Sequence, residues 1–170
     1  MMHLKILLLS LMLSPVACKS QDKSSPVEAT DALRKELNDA QQVFIYEGLP
    51  HQKFESDLYL IESLRTDILT IGGHPFYTPA TMTEITQILK RLLCSPESFI
   101  RFSGEKLCGG FHPDYCVSWA EEKNACYALI CYGCQEIIFL NGNEQFRYDV
   151  DEHVLAEVKK ELSKYKSKRP

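Results

Sequence analysis

Four short runs decide the fold: Tyr115-Cys-Val-Ser-Trp119, Ala125-Cys-Tyr-Ala-Leu-Ile-Cys-Tyr132, Ile137-Ile-Phe-Leu140 and Gln145-Phe-Arg-Tyr148. They are rich in β-branched and aromatic side chains, which suit a pleated, half-buried surface. Their links are short. The charged turn Glu121-Glu-Lys-Asn124 joins the first two, and Asn141-Gly142 is the strongest local hairpin signal, because both residues tolerate positive φ. The second half of the chain therefore predicts an antiparallel meander.

Toward the C-terminus, Asp149 or Asp151 is placed to cap a closing helix whose buried side is Val154, Leu155, Val158 and Leu162. Toward the N-terminus, Thr81 with Glu84 has the spacing of a capping box, predicting a helix with Ile85, Ile88, Leu89, Leu92 and Leu93 on one side and an end near Ser95-Pro96. Ile68–Ile71 reads as a short strand broken by Gly72-Gly73, and Pro75 and Pro79 bracket an extended segment with Phe76 and Tyr77. Phe54, Leu58, Ile61 and Leu64 recur at steps of three and four, the pattern of an amphipathic helix to about Thr66. Val43–Tyr46 is a compact strand, and Thr30 or Asp31 caps a helix through Gln42 with Leu33 and Leu37 at helical spacing. The sum is a single α+β domain, about four helices against an antiparallel sheet of about four to six strands.

The first residues have a different character. Met1 to Lys5 carries one positive charge, Ile6–Val16 is almost wholly apolar, and Ala17-Cys18 precedes an abrupt turn to polar composition. That is the plan of a secretory signal. The apolar run is about half of the roughly 20 residues that a spanning helix needs. Ala17-Cys18 at the end of such a run resembles the lipobox of bacterial lipoproteins, with Pro15 where the usual leucine stands and Leu13 two places further back. The resemblance implies that Cys18 is acylated and becomes the N-terminus, that a lipid bilayer is a partner, and that the protein sits in the cell envelope facing the periplasm or the outside. An ordinary signal cut near Ala17 or Ser20, giving a soluble secreted protein, is the alternative. The domain plan is then 1–17 signal peptide, 18–30 lipidated cysteine and flexible tether, 31–165 folded domain and 166–170 basic tail.

The formal net charge is −4 at pH 7. A mildly acidic domain is a poor partner for nucleic acid, which requires a basic face. Basic residues do gather at the end, at Lys159, Lys160, Lys164, Lys166, Lys168 and Arg169, where they complement the helix dipole before a frayed tail.

Six cysteines besides Cys18 crowd one segment: Cys94, Cys108, Cys116, Cys126, Cys131 and Cys134. Three chemistries compete. In an exported chain all six are disulfide candidates, and hairpin register across Glu121–Asn124 makes Cys116–Cys131 a plausible bridge. Alternatively, the two-residue spacing of Cys131 and Cys134, with Cys108 and His112 completing a tetrahedron, suits a zinc ion. A redox pair at Cys131 and Cys134 is the third, but the surrounding residues read as strand and offer no helix dipole to activate a thiol. Disulfides are the favoured reading, and zinc is the one cofactor left open.

Cys108-Gly-Gly-Phe-His-Pro-Asp-Tyr115 packs turn glycines, His112, Asp114 and an aromatic into one loop. The favoured reading has Asp114 and His112 satisfying nearby backbone groups, with Tyr115 and Trp119 in the core; a small ligand-holding loop is the other. His51, His74 and His153 are expected in turns or on the surface, and Asp149, Asp151 and Glu152 as helix-capping acids. The pattern from Cys108 through Trp119 to Cys131-Tyr-Gly-Cys134-Gln-Glu136 resembles one in small exported bacterial proteins of uncharacterised activity. Gln135 stands where a c-type haem motif has histidine, so covalent haem is excluded. No catalytic constellation emerges. Two classes remain: a non-enzymatic anchored module that binds a protein or small molecule, and a metal- or thiol-dependent protein built on Cys108, His112, Cys131 and Cys134.

Overall fold

A computed structural model describes residues 26–104, 106–119 and 125–170. The expected signal peptide, Cys18, the start of the tether and the Glu121–Asn124 turn lie outside the described residues. The elements run α1 (Pro26–Asp39), β1 (Gln42–Glu47), α2 (Ser56–Ser63), β2 (Ile68–Ile71), β3 (His74–Tyr77), β4 (Thr81–Glu84), α3 (Gln87–Cys94), β5 (Phe99–Arg101), β6 (Tyr115–Trp119), β7 (Cys126–Cys131), β8 (Glu136–Asn141), β9 (Glu144–Val150) and α4 (Glu152–Leu162). Short 3₁₀ turns precede β5 and follow α4. The α+β class holds. The main sheet is larger than the sequence suggested: seven antiparallel strands in the order β4-β1-β6-β7-β8-β9-β5, with β2 and β3 as a separate two-stranded hairpin.

The centre of this sheet is apolar on both sides. All five residues of β6 are buried, as are five of the six in β7. Successive side chains in a strand point to opposite faces, so two covers are required. Over one face lie α1, α3 and α4. Leu33, Leu37, Leu89, Leu92, Leu93, Leu155, Val158 and Leu162 pack there on Val117, Trp119, Ala128, Ile130, Ile137 and Phe139. Over the other lies the β2–β3 hairpin, whose Ile71 and Phe76 pack on Cys116, Leu129 and Ile138, with Phe111 at their side.

Several local expectations change. Thr81–Glu84 is a strand pairing with β1, not a capping box. The helix starts at Gln87, where the Thr86 side chain accepts a hydrogen bond from the Leu89 amide (3.2 Å). Ile88 points outward. Phe99–Arg101, unassigned from sequence, adds to the sheet edge at β9. In α2 the inward residue is Glu62, whose carboxylate accepts from the Tyr77 hydroxyl (2.8 Å) and the Arg65 guanidinium (3.2 Å). That pairing turns the helix so that Ile61 and Leu64, expected on its packed side, are exposed, as is Phe54 before it. At the closing hairpin Asn141 pairs with Glu144, so Gly142 and Asn143 form the turn, one residue later than the Asn-Gly pattern places it. Asp151 caps α4 as expected, accepting from the His153 and Val154 amides.

Gly72 seats the second cover. Its φ of 57° is left-handed, and an added Cβ would lie 2.6 Å from Leu140 Cδ1 and 3.1 Å from Leu129 Cδ1. Gly142 has a similar φ of 55° with nothing within 4 Å of such a carbon. Gly72→Ala is therefore expected to cost about 1–3 kcal/mol through overpacking in addition to backbone strain. Gly142→Ala carries the strain alone. Calorimetry of both variants checks this: Gly72→Ala lowers the unfolding midpoint clearly more than Gly142→Ala.

Candidate functional site

The cysteine segment folds onto the second face, below the β2–β3 hairpin. Its loop is tied at four places. Cys108 is disulfide-bonded to Cys134 in the β7–β8 turn, with Cα atoms 5.5 Å apart. Lys106 Nζ donates to the Cys134 carbonyl (2.7 Å) and lies 2.9 Å from Asp149 Oδ1. His112 Nε2 bonds the Leu49 carbonyl (2.8 Å). Asp114 Oδ2 accepts from the Tyr132 amide (2.8 Å). His112 and Asp114 thus satisfy backbone groups, while Tyr115 and Trp119 are buried, as the sequence reading favoured.

Beneath the loop lies a charge network that the sequence reading did not identify. Glu136 is 0% exposed, and its Oε2 accepts from Arg147 Nε at 2.8 Å. The Arg147 guanidinium also lies 4.3 Å from the Phe102 ring centroid and 5.5 Å from that of Phe111. Ser103 donates through its amide and hydroxyl to Asp149 Oδ2. Burial alone would raise the Asp149 carboxyl, yet the Ser103 hydrogen bonds and Lys106 hold it below its usual range. Removing the cation from a pair this buried leaves an uncompensated charge, so Arg147 and Lys106 are structural necessities here. The hairpin register is the signal that could have found the network: it sets Glu136 opposite Asp149 and Ile138 opposite Arg147.

Histidines far apart in sequence meet at the loop. The His51 and His112 rings are 4.6 Å apart, and His74 meets Phe111 edge-on at 5.3 Å. Burial pushes the His112 and His74 imidazoles below the ordinary histidine range, His51 adds to this at His112, and His112 adds to it at His74. The C-terminal tail closes the same corner instead of fraying. Glu47, which is buried, accepts from the amides of Ser167 (3.0 Å), Lys168 (2.8 Å) and Arg169 (3.1 Å). The Arg169 guanidinium bridges Glu55 and Asp114.

The remaining cysteines are dispersed. Cys94, Cys116, Cys126 and Cys131 remain thiols. The expected Cys116–Cys131 bridge is not formed, because Trp119 pairs with Cys126, and that register sets Cys116 opposite Leu129 and Cys131 opposite Glu136. Burial raises all four thiols: Cys94 to about 11, Cys126 to about 12, Cys116 well above its ordinary value, and Cys131 upward despite accepting from the His112 and Cys134 amides. Of the four proposed zinc donors, Cys108 and Cys134 bond each other, His112 is hydrogen-bonded to backbone, and Cys131 accepts from the Cys134 amide at 3.2 Å. Among the described residues no three His, Cys, Asp or Glu side chains group as metal ligands. Also among them, no helix is long and apolar enough to cross a membrane.

Comparison with known proteins gives no match: no protein family, no curated protein and no solved structure is significantly similar to this chain.

Two outcomes follow from this chemistry. Alkylation near neutral pH is expected to leave Cys116, Cys126 and Cys131 largely unmodified in the native protein, since buried, neutral thiols are poor nucleophiles. Unfolding without reductant exposes those three and Cys94, and Cys108 and Cys134 react only after reduction; peptide mass spectrometry reads each step. The second outcome concerns pH. The folded-state imidazoles of His112 and His74 sit below the unfolded value of 6.5. Their contribution to stability is complete above that value and is lost as pH falls through the folded-state values, because only the unfolded chain takes up the protons readily. Thermal midpoints should therefore fall between about pH 7 and about pH 5, and His112→Asn should flatten that slope.

Proposed function

We propose that this chain is an exported protein of the cell envelope, lipid-anchored through Cys18, whose single domain binds a protein or small-molecule partner and does not catalyse a reaction. The observation that carries this reading is the Cys108–Cys134 disulfide, which ties a surface loop to the sheet. Structural bridges of this kind persist in oxidising compartments, the environment an export signal implies. A catalytic dithiol needs an accessible thiol with a lowered pKa; Cys131, in the Cys-x-x-Cys segment, is buried and raised. The histidines of the loop are packed against one another or hydrogen-bonded, which suits a structural clasp better than general-base work.

Mass spectrometry of the mature protein from a bacterial host tests the reading. The expected product begins at Cys18, carries a diacylglyceryl group, fractionates with membranes and contains the Cys108–Cys134 cross-link. A Cys18→Ser variant should be released from the membrane fraction. An intact chain beginning at Met1 in the cytosol, with every sulfur reduced, would contradict it. So would near-stoichiometric zinc held by Cys108, His112, Cys131 and Cys134.

A further inference from the structure

Cys131 is the thiol that the fold sets beside the disulfide. Cys126 lies in the first core and Cys94 packs against it, on the helical side of the sheet. Cys116 is buried beneath Ile71 and Phe76. Residues alternate in direction along β7, so Cys131 shares the second face with Leu129, the face onto which the cysteine loop folds. Cys131 ends β7 opposite Glu136, and the turn between them carries Cys134 back over it. The Cys134 amide donates to Cys131 Sγ at 3.2 Å. That amide nitrogen is only a few bonds from the Cys134 sulfur, so the two sulfurs lie within side-chain reach of each other.

The two ends of the disulfide are held unequally. Cys134 is 1% exposed, and its carbonyl accepts from Lys106 Nζ at 2.7 Å. Cys108 is half-buried and follows Leu107, which is fully exposed. Two residues on, Gly110 is exposed, with nothing within 4 Å of where a Cβ would stand. When the bond opens, Cys108 is therefore the sulfur placed to leave, and Cys134 stays beside Cys131. The attacking species in such an exchange is a thiolate. Cys131 Sγ accepts from the His112 and Cys134 amides, donors that strengthen as charge develops on the sulfur. Burial keeps this thiol neutral at rest and closed to outside disulfides. An exchange within the chain needs no such access.

We propose that Cys131 is an internal nucleophile that opens the loop clasp by thiol–disulfide exchange. Its sulfur gives up a proton and attacks Cys134 Sγ. The Cys131–Cys134 bond forms, the Cys108–Cys134 bond breaks, and Cys108 leaves as a thiolate that takes up a proton. No electrons are gained or lost, so no outside oxidant or reductant enters. The product releases the 106–113 loop from the β7–β8 turn and presents Cys108 as a surface thiol. The inference rests on the Cys108–Cys134 bridge of the exported-protein reading.

Trapping the released thiol tests it. Folded, unreduced mature protein is held with excess iodoacetamide at mildly alkaline pH, over the minutes to hours of uncatalysed disulfide rearrangement. After an acid quench, the chain is unfolded, its remaining thiols take a heavy label, and trypsin cuts after Lys106, Lys123 and Arg147. Cys108 and Cys116 then lie in one peptide, and Cys126, Cys131 and Cys134 in another. The expected product carries the first label on Cys108 and an internal Cys131–Cys134 disulfide. Cys131→Ser keeps an acceptor for the same amides and should retain the Cys108–Cys134 link, with several-fold less label on Cys108. A brief exposure should find the resting link in both chains. The proposal is overturned if Cys108 stays unlabelled in the wild-type chain after hours, if both chains label it equally, or if Cys108 pairs with Cys131 instead. The linkage in the wild-type product decides the matter even where the variant does not fold. Failure of the bridge itself looks different: Cys108 and Cys134 then label at once in the wild-type chain, with no disulfide formed.

Discussion

Burial on both faces of β6, β7 and β8 is the constraint from which the rest of the architecture follows. An antiparallel sheet ordinarily leaves one face to water. Here the odd-numbered residues of β6 and the even-numbered residues of β7 belong to one core, while Cys116, Leu129 and Ile138 between them belong to another. Helices satisfy the first face with a broad apolar surface. Among the described residues no helix of comparable apolar surface packs on the second face; α2 turns Glu62 inward and leaves Ile61 and Leu64 in solvent. Its cover is a four-residue-stranded hairpin and a loop, which on their own bury little. The fold compensates with local ties: a close glycine seat at Gly72, a buried charge network at Glu136 and Arg147, a disulfide at Cys108 and Cys134, and a C-terminal tail held by Glu47.

Those ties also explain why cysteines, histidines and charges gather in one corner. The disulfide joins residues 26 positions apart and closes a loop whose freedom in the unfolded chain is correspondingly reduced. Lys106, Arg147 and Arg169 each neutralise carboxylates that the loop or tail brings close. With its polar groups so engaged, this corner acts as a clasp.

Local chemistry was legible in the sequence, and long-range partnership was not. The strands at 43–46, 115–119, 126–131 and 137–140 announce themselves by β-branched and aromatic runs, and Asp151 by the helix that follows it. Thr81 and Glu84 misled because their spacing satisfies a capping box, whereas β1 needed an edge partner and the chain supplied Thr86 as the cap instead. The apolar period of α2 gave no warning of Glu62, because the partner that draws it inward, Tyr77, lies in another element. At the site, the polar roles of His112 and Asp114 could be read from the loop's own composition. The partners of Glu136 follow from the β8–β9 register, which the closing hairpin turn sets, whereas those of Cys108 and Glu47 depend on where a distant loop and the tail return, which leaves no local signature.

Hydrogen–deuterium exchange before and after selective reduction of Cys108–Cys134 tests the central claim most directly. If the second cover is a separate layer held down by that bond, reduction accelerates exchange at residues 106–113 and at the neighbouring 49–54 turn. The amides of β6, β7 and β8 then stay slow, because the helical layer and the strand ladder still protect them. Strands that begin exchanging together with the loop, or a loop that exchanges at the same rate with the bond open, would contradict the account.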